Sequence, residues 1–393
     1  MWYYIYAKYI WEEFLMSEIN TKHKPHGDLA IISMRGCEDL ASRIDYYLKQ
    51  WREDTEESFV IHANCPRFGT GEAKAVFQHT ARGLDVFILC DCFNHGVTYK
   101  MYGQTVPMSP DDHFQDLKRT IASLGGKAKR ITVIMPMLYE GRQHKRSSRE
   151  SLDCAMALQE LAAMGVKNLI TFDAHDPRVV NAIPLGGFDN IMPTYQMIKA
   201  LVKAYPDIVI DRDHTMMISP DEGAMSRSIY YSSILSLELG MFYKRRNYSI
   251  IVNGKNPIEA HEFLGNDVEG KDVIIVDDMI SSGESMFSIA AKLKERKANR
   301  VFIFSTFGLF VEGFDKFDDY YKKGLIDKVF TTNLVYNVPE LLEKPWYKQV
   351  DMSKYLAMIV DTLNHDNSIS ELLDPAKRIN KLMDKHNAEL ANK

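Results

Sequence analysis

The fold is decided by K-D-V-I-I-V-D-D-M-I-S-S-G-E-S-M, residues Lys271–Met286. Val273–Val276 is a continuous apolar, β-branched run, which is typical of a strand buried on both faces of a parallel sheet. An acidic pair, Asp277-Asp278, follows at the carboxyl end of that strand, where open α/β sheets bind ligands. Phe287–Arg296 has helical periodicity. A small polar loop separates the acidic pair from the helix and contains Ser281, Ser282, Gly283 and Ser285.

A strand, two carboxylates, a hydroxyl-rich loop and a helix together predict a binding site for a sugar phosphate. The N–H groups of the loop and of the helix N-terminus can hold a phosphate, and the two carboxylates can accept hydrogen bonds from vicinal sugar hydroxyls. The alternative is a strand that ends in a solvated Asp-Asp turn. Adjacent carboxylates directly after a buried strand are unfavourable unless a ligand occupies them, so we prefer the binding site.

Length and composition limit the classes of protein that fit. A chain of 393 residues is too long for one ordinary hydrophobic core, which predicts two domains. The hydrophobic fraction of 46% and the charged fraction of 26% are those of a soluble globular protein. A net charge of −5 argues against nucleic acid as a partner, so any anion site must be local.

We expect no membrane partner and a cytoplasmic location, because no apolar run is long enough for a transmembrane helix. The aromatic first sixteen residues carry Lys8, Glu12 and Glu13 and lack the features of a signal peptide. They are either an amphipathic docking helix or a segment upstream of the fold. The five cysteines are scattered and predict core thiols in a reducing compartment rather than a disulfide framework; they are Cys37, Cys65, Cys90, Cys92 and Cys154.

From Asp28 the chain alternates predicted strands and helices, which implies mostly parallel sheets covered on both faces. The Pro/Gly-rich turn Ile183–Pro193 indicates a domain boundary, and the same alternation restarts beyond it. The predicted division is an aromatic extension 1–27, a first domain 28–190, a second domain 191–345 and a charged helical tail 346–393 that packs on the body or on a neighbouring subunit. The predicted strands are Leu29–Ser33, Phe59–Ala63, Asp85–Cys90, Ile131–Met135, Asn168–Phe172, Thr215–Ser219, Gly240–Tyr243, Val273–Val276 and Val301–Thr306.

Two segments of the first domain combine cations with groups that can recognise a nucleotide. The turn Arg67–Glu72, R-F-G-T-G-E, offers an aromatic face, a cation and a carboxylate; alone, an ordinary turn with a partly buried Phe is the better interpretation. The segment Arg142–Glu150 places four cations within eight positions on a loop after a buried strand, which suits triphosphate oxygens. The alternative is a solvated basic loop, and His144 alone is interpreted as a surface histidine.

Acidic residues recur at the ends of two further predicted strands. Asp173 and His175 lie two apart, so in extended backbone they point the same way and could ligate Mg²⁺ or orient a nucleotide. Otherwise His175 is a capped loop histidine. Asp221, with Arg227 behind it, is either a metal-associated acid or a helix N-cap.

A third basic segment, Lys244-Arg245-Arg246, follows the predicted strand Gly240–Tyr243 and opens a long polar stretch. Cations on a closable loop suit a phosphoryl-type transition state, where catalysis is positioning plus neutralisation of charge. The alternative is a basic strand end in a flexible surface loop.

Taken in order, these motifs resemble those of the ribose-phosphate pyrophosphokinases, also called phosphoribosyl diphosphate synthases. The matching patterns are R-F-x-x-G-E, R-Q-x-K-R-x-S-R-E, D-x-H, S-P-D-x-G and K-R-R. The D-D loop that closes the series resembles the phosphoribosyl-diphosphate loop of the type I phosphoribosyltransferase fold. Simple phosphoribosyltransferases have one such domain and lack the R-Q and D-x-H segments, so that class is disfavoured. The resemblance implies an α/β protein with two tandem type I phosphoribosyltransferase-like domains.

The resemblance also implies roles for individual residues. Lys244 and Arg246 would be catalytic, and the Arg149-Glu150 pair would start the next helix. ATP would be bound across a subunit interface of a homo-oligomer by Phe68, Glu72, Arg142, Gln143 and His175. Mg²⁺ would be bound by His175 and Asp221. Ribose 5-phosphate would be bound by Asp277, Asp278, Ser281, Ser282, Gly283 and Ser285. The implied reaction transfers the diphosphate of Mg·ATP to ribose 5-phosphate and releases AMP.

Several positions depart from the family pattern. Thr70 and His144 each stand where the family has Asp, and Ser281 replaces a third acid of the D-D loop. Glu284 replaces a small residue, and a carboxylate there repels a phosphate unless its side chain points outward. The K-R-R segment opens a longer loop and lacks the following Pro. These changes motivate a second hypothesis, a catalytically weak homologue that binds nucleotide and assembles with a true synthase as a regulatory subunit.

Overall fold

The computed structural model describes residues 23–52, 57–246 and 258–391, except for the side chains of 244–246 and 258–261. The contacts of the chain divide it into two compact units. Unit 1 takes the described residues up to Met192 together with Met352–Asp374, and unit 2 takes Pro193–Asp351 and the residues from Pro375. The aromatic N-terminal segment, 1–22 of the predicted extension, lies outside the described residues.

The strands lie in two larger sheets and one hairpin. In chain order they are β1 (Asp28–Ser33), β2 (Val60–His62), β3 (Leu84–Leu89), β4 (Thr98–Met101), β5 (Gln104–Pro107), β6 (Arg130–Ile134), β7 (Asn168–Phe172), β8 (Gly187–Ile191), β9 (Thr215–Ser219), β10 (Glu238–Arg246), β11 (Ile258–Leu264), β12 (Asp272–Ile280), β13 (Val301–Gly308), β14 (Lys328–Thr332) and β15 (Tyr347–Val350).

The described helices follow the strands in the alternation expected for an α/β fold. They are α1 (Glu38–Trp51), α2 (Pro110–Ser123), α3 (Asp153–Ala163), α4 (Thr194–Ala204), α5 (Met225–Leu235), α6 (Glu284–Glu295), α7 (Asp315–Lys322), α8 (Pro339–Leu342), α9 (Ser353–Asn364), α10 (Ser370–Leu373) and α11 (Ala376–Ala391), with a 3-10 turn at Pro177–Ala182.

The sheet of unit 1 is parallel throughout, in the order β2-β1-β3-β6-β7-β8. That of unit 2 has the order β11-β10-β9-β12-β13-β14-β15 and is parallel except for the β10–β11 pair. Central strands such as β9 and β13 are buried along their whole length, which explains their unbroken apolar sequences. The prediction of two α/β units with mostly parallel sheets is confirmed.

The C-terminal tail is not purely helical, contrary to prediction. Its first residues form β15, which pairs in parallel with β14 of unit 2. The chain then contributes α9 and α10 to unit 1 and returns to unit 2 as α11. The tail therefore completes the packing of both units.

A buried ionic network attaches the end of α9 to the sheet of unit 1. Arg130 at the start of β6 donates two hydrogen bonds to Asp85 of β3, at 2.8 and 2.6 Å, and Asp85 is fully buried. Asn364 donates to the same carboxylate at 2.9 Å. Arg130 also donates to the Leu363 carbonyl and pairs with Asp366, each at 2.7 Å. One arginine thus satisfies a buried acid and anchors the returning chain.

The cysteines are core thiols, as predicted: all five are buried and unbridged. Among the described residues, no helix combines the length and the apolar character needed to cross a bilayer.

We predict that Arg130→Met destabilises unit 1, because it leaves the Asp85 carboxylate buried without its cation. Breaking a buried pair in this way costs roughly 3–5 kcal/mol. Lys129→Met is the matched control: it removes a neighbouring exposed cation with the same replacement and should change stability by no more than about 0.5 kcal/mol. Urea unfolding of both variants measures the difference, and equal midpoints would contradict the network.

Candidate functional site

The acidic pair of the D-D loop lies inside a strand rather than after one. β12 continues to Ile280, so the predicted end at Val276 is wrong. Its pairing with β9 stops at Ile275, whereas pairing with β13 runs on to Ile280. Asp277 and Asp278 therefore extend beyond the neighbouring strand β9, at the carboxyl edge of the sheet.

The pair is largely buried, and burial raises the pKa of one of its carboxylates. Asp278 is 3% exposed and the Asp277 side chain 23% exposed. The Arg227 guanidinium from α5 lies 3.6 Å from Asp277 Oδ1, which also accepts the Asp278 N–H at 2.9 Å. Burial and the neighbouring Asp278 carboxylate raise the pKa of Asp277 well above its ordinary value, against the opposing effect of Arg227. The carboxylates of this pair are hydrogen-bond acceptors, which suits a polyhydroxyl ligand.

The hydroxyl loop turns tightly into α6. Gly283 has φ 82°, and a Cβ there would lie 2.6 Å from the Phe317 ring, so glycine is required both by conformation and by packing. The Glu284 N–H donates to Ser282 Oγ at 3.4 Å, and the Ser281 carbonyl accepts the Val311 N–H at 3.0 Å. The loop is thereby fixed at the N-terminus of a helix, where the dipole favours an anion.

Glu284, which departs from the family pattern, directs its carboxylate to the protein surface. Its side chain is 71% exposed and pairs with Lys316 at 3.3 Å. Lys316 lies at the same distance from Glu312, so it serves two surface acids. Solvent and Lys316 together weaken the repulsion that this carboxylate would exert on a bound phosphate.

Asp221 follows β9, the strand beside β12. Its Oδ1 accepts the N–H groups of Gly223 and Ala224 at 3.0 and 3.2 Å, and its carbonyl accepts from Ser219 Oγ. The carboxylate thus shapes the turn that leads into α5, but the N-cap of that helix is Ala224, so the interpretation of Asp221 as the N-cap is wrong. α5 then carries Arg227 towards Asp277, so β9, α5 and β12 bring these three residues to one edge of unit 2.

The K-R-R segment belongs to a strand, which corrects the prediction of a loop. Lys244, Arg245 and Arg246 are the last residues of β10, and their backbone pairs with β11 with a shift in register between Arg245 and Arg246. The side chains of Lys244 and Arg246, predicted to be catalytic, lie outside the described residues, as does the whole segment 247–257.

In unit 1, the turn of the R-F-x-x-G-E motif has one buried and one exposed member. Arg67, with a side chain 7% exposed, lies 2.8 Å from Asp116 and 3.6 Å from Asp112, and both acids belong to α2. Phe68, in contrast, is 56% exposed. Arg67 therefore anchors the turn, and the turn presents the Phe68 ring to solvent rather than partly burying it.

A second polar pair shapes the same turn. Glu72 is exposed and accepts a hydrogen bond from Thr70 Oγ1 at 2.8 Å. Thr70 thus occupies part of the acceptor capacity of the carboxylate that was predicted to contact ATP.

The basic loop after β6 is open to solvent. Arg142 is exposed, and Gln143 is half-buried with its amide donating to the Ser151 carbonyl at 2.9 Å. Glu150 folds back on its own loop, accepting from Ser148 Oγ at 2.8 Å. α3 begins only at Asp153, so the prediction that Arg149-Glu150 start the helix is wrong. The exposed cations of the loop are Arg142, Lys145, Arg146 and Arg149.

The D-x-H segment is not extended. β7 ends at Phe172, and Asp173 has φ 41°, in the left-handed region. Asp173 is 4% exposed whereas His175 is exposed, so the premise that both side chains point the same way from extended backbone is wrong. A non-glycine residue held in this conformation at a strand's carboxyl end is a form of strain that clusters at functional sites.

His144 is a site candidate that sequence reasoning missed. Its side chain is 11% exposed, its Nε2 lies 3.4 Å from Asp176 Oδ2, and its ring centroid lies 5.4 Å from that of His175. Arg178 donates to the Asp176 carboxylate and lowers the pKa of that acid to about 2. The basic loop and the D-x-H segment therefore meet through His144, and interpreting it as a surface histidine is wrong. The one signal in the sequence for this contact is the D-x-H-D pattern of residues 173–176, which ends in Asp176, the carboxylate that faces His144.

The described side chains do not form a complete set of ligands for a metal ion. Within residues 23–52, 57–246 and 258–391, no group of three or more His, Cys, Asp or Glu side chains is arranged to hold a metal ion. Mg²⁺ commonly binds through one or two carboxylates, waters and substrate phosphates rather than in a complete protein cage. The half-buried Asp221 carboxylate suits such a site better than the His175 imidazole does.

Comparison with known proteins finds family models that match a segment of each unit. The model of the N-terminal domain of ribose phosphate pyrophosphokinase matches residues 29–165, and that of the phosphoribosyl synthetase-associated domain matches residues 245–374. The ribose-phosphate pyrophosphokinase of Shewanella oneidensis is 28% identical over 78% of this chain and 89% of its own length. That of Pasteurella multocida is 26% identical over 88% of this chain and 99% of its own.

The fold has a close structural counterpart. The crystal structure of phosphoribosylpyrophosphate synthetase from Mycobacterium smegmatis superposes with a TM-score of 0.70, covering 86% of this chain and all of that one at 20% identity. Fold and motifs thus define a protein built of two tandem type I phosphoribosyltransferase-like units. The chain belongs to the ribose-phosphate pyrophosphokinase family, as a divergent member.

We predict that the same substitution at two positions of β12 has opposite effects on stability. Asp277→Asn should stabilise unit 2 at neutral pH, because it removes a charge that burial and Asp278 disfavour. Asp272→Asn should destabilise it, because Asp272 accepts two hydrogen bonds from Arg300, at 3.0 and 2.6 Å. We expect that loss to fall at the lower end of the roughly 3–5 kcal/mol for breaking a buried pair, since Arg300 keeps Asp207.

The gain from Asp277→Asn should also depend on pH. A folded-state pKa above the unfolded value means that the folded chain binds this proton more tightly, so the ionised acid destabilises the fold above its folded pKa. That penalty disappears as the pH falls towards the unfolded pKa of about 3.9. Thermal unfolding from neutral to acidic pH measures the trend; a gain that grows on acidification would overturn the assignment.

Proposed function

We propose that this protein is a ribose-phosphate diphosphokinase. The anomeric hydroxyl oxygen of ribose 5-phosphate attacks the β-phosphorus of Mg·ATP and forms a new P–O bond. The bond between the β-phosphorus and the oxygen bridging to the α-phosphorus breaks, so AMP leaves and the β,γ-diphosphate moves to the sugar. The hydroxyl proton is lost to solvent, and a loose transition state of this kind requires no strong general base.

The observation that carries the proposal is the buried acidic pair at the carboxyl edge of unit 2. Asp277 and Asp278 suit the vicinal hydroxyls of a pentose, since they are adjacent carboxylate acceptors at the edge of the sheet and burial raises the pKa of Asp277. The fixed loop 281–285 at the N-terminus of α6 suits the 5-phosphate. A sugar bound in this way presents its anomeric hydroxyl away from the 5-phosphate.

The nucleotide end is assigned to residues of unit 1. Phe68 offers an exposed aromatic face for a base, and the exposed cations of the loop after β6, including Arg142, suit triphosphate oxygens. We assign Gln143, His175 and Glu72 to the same site because their segments match the family's nucleotide-binding motifs. We further propose a homo-oligomer in which two subunits share each ATP site, as the family resemblance implies.

Mg²⁺ fits this proposal through Asp221, with His175 as a candidate ligand or orienting group for the nucleotide. When bound with ATP, the ion would neutralise charge on the β- and γ-phosphate oxygens. Lys244 and Arg246 are assigned to the remaining negative charge of the transferring diphosphate. Asp277 and Asp278 hold and orient the sugar.

A direct assay tests the function. Purified protein is incubated with ribose 5-phosphate, ATP and Mg²⁺, and AMP and phosphoribosyl diphosphate are quantified. We expect equal amounts of both products and no reaction without the sugar. If folded protein makes no AMP across phosphate and metal conditions, the enzyme proposal fails.

One observation favours the second hypothesis, a regulatory homologue. The hydrogen bond from Thr70 to Glu72 occupies a carboxylate that the proposed ATP site needs. A homologue of this kind would bind ATP without forming AMP, and it would raise or lower the activity of an added ribose-phosphate pyrophosphokinase. ATP binding together with the AMP assay therefore separates the two hypotheses.

We predict that Lys244→Ala lowers kcat by about 10³-fold or more while the apparent melting temperature stays unchanged, because charge neutralisation of the transferring group supplies much of the rate. Arg245→Ala is the matched control, since the resemblance assigns a role to Lys244 and Arg246 but not to Arg245. Equal losses in the two variants would show that the segment contributes only general positive charge.

A further inference from the structure

The hairpin formed by β4 and β5 braces the turn that carries Phe68. The Tyr99 ring packs under the Arg67 guanidinium at 4.6 Å, and the Tyr102 N–H donates to the Gly69 carbonyl at 2.8 Å. Met101 fills the space beside Gly71, where a Cβ would lie 2.9 Å from its Sδ. These three contacts, from Tyr99, Met101 and Tyr102, make the hairpin and the turn one structural element.

The tip of this hairpin carries a residue that backbone geometry disfavours. β4 and β5 pair antiparallel and are joined by Tyr102 and Gly103, with φ of 47° and 79°. Two central residues with positive φ are the pattern of a type I′ turn, which favours Asn-Gly. A bulky aromatic residue at the first of these positions is an outlier that calls for an explanation.

Burial does not supply that explanation. Tyr102 is 78% exposed, and Phe68 on the adjoining turn is 56% exposed. The hydrogen bond between Tyr102 and Gly69 fixes the spacing of the two turns, so both rings are presented on one element of unit 1. Two exposed aromatic faces held by a rigid frame suit a flat heterocycle, because bases stack on aromatic side chains.

We propose that Tyr102 is a second base-contacting residue, which stacks with the adenine of ATP alongside Phe68, and that the β4–β5 hairpin is the positioning element of this base site. The inference rests on the proposed function and deepens it. Stacking depends on the π-face of the base rather than on its hydrogen-bonding groups, so Tyr102 contributes affinity for purine nucleotides in general.

The decisive variant is Tyr102→Asn, because asparagine suits the left-handed turn better than tyrosine does. We expect its melting temperature to be equal or higher, while the Kd for Mg·ATP, measured by titration calorimetry, rises about tenfold, within the range of one base–aromatic stack. Tyr102→Phe keeps the ring and should retain wild-type affinity. Inorganic tripolyphosphate, which has no base, should bind both variants and the wild type equally.

Two controls separate stacking from other roles. Tyr46→Asn removes another exposed tyrosine, on α1, and should leave the Kd for ATP unchanged. Sedimentation velocity should give the same oligomeric state for the wild type and Tyr102→Asn. Loss of the oligomer would assign Tyr102 to a contact between copies of the chain and overturn the proposal.

The remaining outcomes are equally decisive. An unchanged Kd for ATP in Tyr102→Asn, or parallel weakening of ATP and tripolyphosphate, would refute base contact. Because these readouts are binding constants, they stand apart from the AMP assay: wild-type protein that binds ATP without forming AMP would refute the proposed enzyme and leave the base site to be judged by the variants.

Discussion

The proposed site depends on two adjacent carboxylates, Asp277 and Asp278, that the fold keeps at a largely buried sheet edge. β12 illustrates the contrast, because it carries acids at both ends. Asp272 at its start is held by two hydrogen bonds from Arg300, whereas Asp277 near its end lies 3.6 Å from Arg227 and has a like-charged neighbour beside it. The first arrangement stabilises the fold, whereas burial and the neighbouring charge disfavour the ionised form of Asp277. Pairing with β13, the Gly283 turn and α6 hold the second arrangement in place.

In unit 1, one short motif, Arg67–Glu72, contains both a buried residue and an exposed one. Arg67 looks like a ligand-binding cation in sequence, but Asp112, Asp116 and the Tyr99 ring bury it. Its neighbour Phe68 is 56% exposed. Within this motif Arg67 anchors the turn and Phe68 is the side chain that the turn exposes. Only the packing in the structure distinguishes these two roles.

Sequence predicted those parts of the fold that depend on local pattern. β7 and β9 begin and end at the predicted residues, because each is a short apolar run bounded by polar residues. The strand limits that were predicted wrongly depend on pairing with strands distant in sequence. β12 passes through two acids because β13 continues beside it, and K-R-R lies in β10 because β11, beyond the undescribed segment, pairs with it. His144 was misjudged for the same reason: Asp176 and His175 reach it from another strand end. The roles of the site residues rest on resemblance and stay predictions.

Three of the positions that depart from the family pattern have a local partner. Glu284 pairs with Lys316 at the surface, Thr70 donates to Glu72, and His144 faces Asp176. The aspartate that the family has at position 144 would here face the ionised Asp176 carboxylate and be repelled by it, whereas an imidazole can donate to that carboxylate. The substitutions therefore remove three acids of the family pattern, at positions 70, 144 and 281, and add one at the exposed position 284. Glu284, Thr70 and His144 each pair with a residue of their own unit, and such pairing stabilises the fold whether or not the proposed site is used, because an unpartnered charge is unfavourable.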